Sequence, residues 1–126
     1  MKKIIHTSSA PAPIGPYSQA VVAGNILYAS GQICIDPQTN QLDNSDLPTE
    51  TTRVMNNISN LLKEAGFEFS HIVKTSIFLS DMNHFASVNE VYSTYFTGDF
   101  PARETVAVAG LPKNVNVEIS VIAYKF

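Results

Sequence analysis

The most constraining feature of the chain is its last apolar run. Val115, Val117, Ile119, Val121 and Ala123 recur with a period of two, which fits a strand and no helix. One face of that strand must be buried. The other carries Asn116, Glu118, Ser120, Ile122 and Tyr124, a mixture too apolar for a fully solvated surface and too polar for a core. A sheet covered by helices on one side only, with its open side buried between subunits, satisfies both faces.

Upstream runs supply the rest of that sheet. Lys2 to His6 reads as a short strand, and Pro11, Pro13 and Pro16 then impose an extended loop. Ser18 to Ala23 and Ile26 to Ser30 flank Gly24-Asn25 as a hairpin, and Asp36 to Leu47 is a turn-rich surface loop. Val54, Met55, Ile58, Leu61, Leu62 and Ala65 trace a helical stripe near 48–66, ended by Gly66. His71 to Leu79 reads as a strand. A second stripe, Phe85, Val88, Val91, Tyr92, Tyr95 and Phe96, has Asp81 or Asn83 as its N-cap and Gly98 past its end. Strands over Arg103–Ala109 and Val115–Tyr124 complete the order β-β-β-α-β-α-β-β, an α+β sheet with both helices on one face. The 126 residues suit one domain, 1–126.

Charge and side-chain chemistry exclude several functions. The net charge is −3, with eight Lys and Arg and no basic run, which argues against a nucleic-acid partner. Cys34 is the only cysteine and sits between Ile33 and Ile35, so it is expected to pack as a small hydrophobe. His6, His71 and His84 lack metal-ligand spacing, and the glycines form no phosphate loop; neither a metal nor a cofactor is expected. The start is too short in apolar residues for a secretory signal, and no run reaches membrane-span length, so a cytoplasmic location is expected.

Suppose the last two strands pair antiparallel with Val106 and Val108, and Val117 and Ile119, turned towards the helices. Arg103 and Thr105 then share the open face with Glu118 and Ser120, and Glu104 points away. From alternation alone the Arg103–Glu118 pair reads first as a cross-strand ion pair on a solvated face, the commoner arrangement, and only second as a site.

Five stretches alter that balance: Ile14-Gly15-Pro16-Tyr17-Ser18-Gln19-Ala20, Ala29-Ser30-Gly31-Gln32-Ile33, Val88-Asn89-Glu90-Val91-Tyr92, Pro101-Ala102-Arg103, and Leu111-Pro112 followed by Val117-Glu118-Ile119. In this order, from about Pro13 to the C-terminus, the chain resembles the RidA/YjgF family of reactive-intermediate deaminases. The resemblance implies a chorismate-mutase-like α+β fold and a homotrimer with sites between subunits. It also implies hydrolysis of 2-imino acids (2-aminoacrylate/2-iminopropanoate and 2-iminobutanoate) to 2-oxo acids and ammonia, with no cofactor. Arg103 matches the family's carboxylate-binding arginine, and Glu118 the acidic residue that positions or activates water. Tyr17, Ser30, Gly31 and Asn89 match positions lining the same cleft; the plain alternatives are a packed loop aromatic for Tyr17, a bulge or turn residue for Gly31 and an exposed helix residue for Asn89.

Many relatives carry a cysteine where this chain has Thr105. Thiol chemistry is thereby excluded at that position, while a hydroxyl that can bond a ligand or water is retained. Two other functions stay open at this stage: an endoribonuclease, a name some relatives carry, and a non-enzymatic module that captures small carboxylates.

Overall fold

The computed structural model describes all residues, 1–126. Strands β1 (Lys2–Ile5), β2 (Ala20–Ala23), β3 (Ile26–Ala29), β4 (Ile72–Leu79), β5 (Ala102–Ala107) and β6 (Val117–Tyr124) form one sheet in the order β1-β2-β3-β6-β4-β5. Helices α1 (Leu47–Ala65) and α2 (Phe85–Ser93) cover one face of it. The element order and the one-sided helical layer are those read from the sequence.

Local chemistry explains the boundaries. Asp46 caps α1 by accepting from Thr49 N at 2.8 Å, Pro48 sits in the first turn, and Gly66, at φ 80°, ends the helix in the left-handed region. Gly24, at φ 60°, takes the first central position of the β2–β3 hairpin, which is where a type II′ turn needs glycine; this accommodates the reversed Gly-Asn order. Asp81 caps a short 3-10 turn at 82–84 rather than α2 itself, accepting from Asn83 N at 2.8 Å. The second stripe outlasts its helix. After Ser93 the chain tightens, and Tyr95 and Phe96 still pack on Phe69 at ring distances of 5.3 and 5.7 Å.

The core runs between α1 and β6. Val54, Met55, Ile58, Leu61 and Leu62 are buried from the helix, Val117, Ile119, Val121 and Ala123 from the strand, and Val115 from just before it. Cys34 is fully buried among them, and burial pushes its thiol up to about 11, consistent with packing. A bulge at Val73 explains why Ile72 and Thr75, three residues apart, both face inward while Val73 is exposed.

Asn57 and Glu50, both buried on α1 without a charged partner, tie the helix to irregular backbone. Asn57 Nδ2 donates to Ile33 O at 3.1 Å and Ile35 O at 2.9 Å, fastening the irregular segment after β3 to α1. Glu50 accepts from Asn116 N, Asn116 Nδ2 and Val117 N at 2.7, 2.9 and 3.0 Å, fastening the start of β6 to the first turn of α1. No helix is long and apolar enough to cross a membrane.

One pairing differs from the sequence reading, and it changes the geometry of the site. β5 and β6 are not neighbours. β4 lies between them, parallel to β5 and antiparallel to β6. The β4-α2-β5 segment is a crossover unit, for which parallel pairing is the rule, and the return to β6 passes over β4. Arg103 is therefore in register with Thr75, which is in register with buried Val121, so Arg103 lies on the helical face. Glu118 is in register with Phe78 and Val106 on the open face. The inferred sharing of one face by Arg103, Thr105, Glu118 and Ser120 is thus overturned. Val106 points away from the helices, and Glu104 lies on the Glu118 side, held by Lys74 at 3.0 Å and by Ser76.

Replacing Asn57 with Ala should cost about 2–4 kcal/mol, because it leaves two buried carbonyls without donors. The denaturation midpoint at fixed protein concentration measures this, and an unchanged midpoint would mean that water replaces the amide.

Candidate functional site

The structure gathers the sequence-predicted residues into two groups on opposite faces of the sheet. The first crevice, about 60 Å³, is lined by Tyr17, Gly31 and Glu118 together with Ile14, Gln32 and Pro112. The second, about 400 Å³ and more open, is lined by Asn89, Tyr92, Phe100, Pro101 and Arg103. No residue lines both.

In the first crevice, the rim is set by the proline-rich loop, which folds back because Gln19 holds it. Its buried amide donates to Thr7 O, Ala10 O and Pro11 O and accepts from Thr7 N. Tyr17 projects from that loop, its side chain half exposed and its hydroxyl accepting a long 3.4 Å bond from Ile14 N. Gly31 follows β3 where the backbone passes against the Glu118 side chain. A Cβ there would lie 2.8 Å from Glu118 Cδ, so only glycine leaves room for the carboxylate. Ser30 is used by the fold itself. Its hydroxyl donates to Ser18 O at 2.6 Å and its N–H to Gln19 O at 3.0 Å. Glu118 takes part in none of the chain's ion pairs, and burial pushes its carboxyl above the ordinary 4.5.

In the second crevice, α2 provides the seat for Arg103. Phe85, Asn89 and Tyr92, at i, i+4 and i+7, present one helical face to it. The guanidinium carbon lies 5.6 Å from the Phe85 ring centre and 5.2 Å from that of Tyr92, within cation–π range. Nη1 donates to Asn89 Oδ1 at 2.6 Å. Tyr92 is fixed in turn by donating to Thr75 Oγ1 at 2.9 Å, and burial raises its phenol pKa. Arg103 forms no ion pair. It is a fixed cation, held by rings and an amide, that has no anion of its own. Thr105, two residues on along the same face, keeps a buried Oγ1 with no hydrogen-bond partner.

Sequence reasoning placed Arg103 and Asn89 together but missed Phe85, Tyr92 and Phe100 around them. The helical spacing 85-89-92 contained the signal. It was absorbed into the core stripe.

The fold and the crevices define a small mixed-sheet α+β domain with an unpaired arginine on one face and a desolvated glutamate on the other. The sequence model described as Endoribonuclease L-PSP matches residues 7–125. A RutC family protein of Pyrococcus horikoshii is 49% identical over 125 residues, covering 99% of each chain. The 2-iminobutanoate/2-iminopropanoate deaminase of Mus musculus is 46% identical over 123 residues, covering 98% of this chain and 91% of its own. Among solved structures, the YjgF gene product of E. coli superimposes with a TM-score of 0.94 at 42% identity, over 98% of this chain and 99% of its own. The chain belongs to the Endoribonuclease L-PSP family, the RidA/YjgF proteins.

The raised carboxyl of Glu118 sets a pH dependence. A carboxyl whose folded-state pKa lies above its unfolded value favours the fold below the unfolded pKa, and that contribution is lost as pH rises through the folded one. Glu118→Gln should therefore gain thermal stability relative to the parent as pH rises from the ordinary carboxylate range through the raised pKa of Glu118. A difference in midpoint that stays constant with pH would show that the carboxylate is not desolvated.

Proposed function

We propose that the protein hydrolyses small 2-imino acids to 2-oxo acids and ammonia at a site completed by two copies of the chain. The observation that carries this reading is the unpaired, pre-oriented guanidinium of Arg103. A planar cation with no acidic partner suits bidentate capture of a carboxylate, and lysine could not reproduce that geometry. The open sheet face supports the second half of the proposal. It exposes Ile4, Tyr28, Val106 and Tyr124 beside the polar group Lys74, Ser76 and Glu104, and β5 is an unpaired edge strand. A ring of three copies would bury that face and bring one copy's Glu118 crevice to its neighbour's Arg103 crevice. Within one chain the sheet keeps the two groups apart.

In the completed site Arg103 holds the substrate carboxylate, and the unpartnered Thr105 hydroxyl and the Asn89 amide lie alongside it. The adjacent C=N carbon then faces a water held by Glu118. Glu118 takes a proton as the water oxygen bonds to that carbon, and the C=N π electrons move to nitrogen. It returns the proton to the nitrogen, giving a carbinolamine; the hydroxyl proton then passes through the same carboxylate to the nitrogen, the C–N bond breaks with loss of ammonia, and the carbonyl of the 2-oxo acid forms. A carboxyl raised above its ordinary value by burial can take up and return each proton in turn. Tyr17 walls the crevice, and its weakly engaged hydroxyl is free to bond the water or the amine. Orientation is the main contribution, since free imines already hydrolyse in water. A cytoplasmic setting matches such chemistry, which clears reactive intermediates where they are released.

With imine generated in situ by an amino-acid dehydratase, Arg103→Ala should lower kcat/KM at least roughly a hundredfold, the scale of a lost charge-assisted pair. Glu118→Gln should lower kcat while 2-oxobutanoate still binds. Parental activity in Arg103→Ala would remove the anchor from the scheme. Carboxylate binding by the parent without any imine hydrolysis would instead mark a capture module.

A further inference from the structure

Antiparallel strands direct alternate N–H groups to opposite edges, and β6 has an incomplete edge. On its β4 side the pairing runs from Val117 to Ala123, but β3 reaches only Ile122 to Tyr124. The N–H groups of Val117 and Ile119, on either side of Glu118, thus face a gap where no strand lies. Two unrelated acceptors fill it. Ile119 N donates to Gln32 O at 3.1 Å, next to Gly31, and Gln32 N returns a bond to Ile119 O at 2.8 Å. Val117 N donates to the carboxylate of Glu50, which is only 1% exposed.

The Glu50 clamp extends further. Its Oε2 also accepts from Asn116 N, and its Oε1 from Asn116 Nδ2. Asn116 in turn accepts at its carbonyl from Ser80 N and at Oδ1 from Ser80 Oγ, both at 3.0 Å. Immediately before it, the turn at 112–114 holds Lys113 and Asn114 at positive φ, and Pro112 lines the Glu118 crevice. No basic group neutralises Glu50. A buried carboxylate satisfied by backbone donors in place of a missing strand fixes geometry more than it adds stability.

We infer that Glu50 is a positioning residue, whose carboxylate replaces a strand carbonyl beside Val117 and thereby fixes where Glu118 and Pro112 sit in the crevice. The inference rests on the imine-hydrolysis reading only for its kinetic consequence; the placement of Glu118 stands apart from it. The role is geometric. A glutamine at 50 can accept both backbone N–H groups through its oxygen and donate to Asn116 once that amide turns over, with Ser80 Oγ then accepting.

Steady-state kinetics of Glu50→Ala, Glu50→Gln and Asn116→Ala on the assembled protein test this, together with a crystal structure of each variant. Glu50→Ala should lower kcat by about tenfold or more with KM little changed, because Arg103 is untouched and a misplaced group costs rate before binding. Glu50→Gln should recover most of kcat, and Asn116→Ala, which removes one of three bonds, should fall between. If Glu50→Ala fails to assemble, the ordering of the other two carries the test. Glu118 should be displaced in the structures in the same order as kcat falls. Displacement in variants of a parent that hydrolyses no imine would sink the functional reading and leave this one standing. An unmoved Glu118 in Glu50→Ala, or Glu50→Gln as impaired as Glu50→Ala, would overturn the positioning role.

Discussion

The placement of β4 between β5 and β6 is the constraint on which the rest depends. Because side chains alternate across a sheet, the register Arg103–Thr75–Val121 and the register Val106–Phe78–Glu118 send the arginine and the glutamate to opposite faces. No rotamer change can reunite them across a packed sheet. A single copy therefore holds two separate crevices, and each leaves one charge without a counter-ion.

Each half is made rigid by means that avoid neutralising it. Arg103 rests on the Phe85 and Tyr92 rings and on the Asn89 oxygen, partners that orient a guanidinium without removing its charge. Glu118 is confined by Gly31 and flanked along the backbone by Gln32 and Glu50. No acidic neighbour forms an ion pair with Arg103, and no basic one with Glu118. The ion pairs the chain does form, Arg53 with Asp36 and Asp43 and Lys74 with Glu104, lie elsewhere.

Much of this was legible in the sequence because periodicity reports burial directly. The β6 alternation, the α1 stripe with its Gly66 stop and the burial of Cys34 are local patterns, and each has its place in the structure. Pairing order is not local. Assuming that consecutive strands are neighbours reversed the faces of Arg103, Val106 and Glu104, although the β4-α2-β5 order already contained the signature of a parallel crossover. The roles of Glu50 and Asn57 were also hidden, since both lie on a helix whose apolar stripe dominates its reading. Their partners are backbone groups 66 and 24 residues away.

The central claim, that one copy supplies the arginine and another the glutamate, is tested most directly by mixing. Arg103→Ala and Glu118→Gln chains, each inactive alone, are unfolded together in equal amounts, refolded and shown by native mass spectrometry to form mixed assemblies. In a closed ring with one site per interface, random mixing pairs an intact arginine with an intact glutamate at about a quarter of interfaces, so roughly a quarter of parental imine hydrolysis should return. Mixed assemblies with no recovered activity would contradict the account and place both groups in a single chain's site.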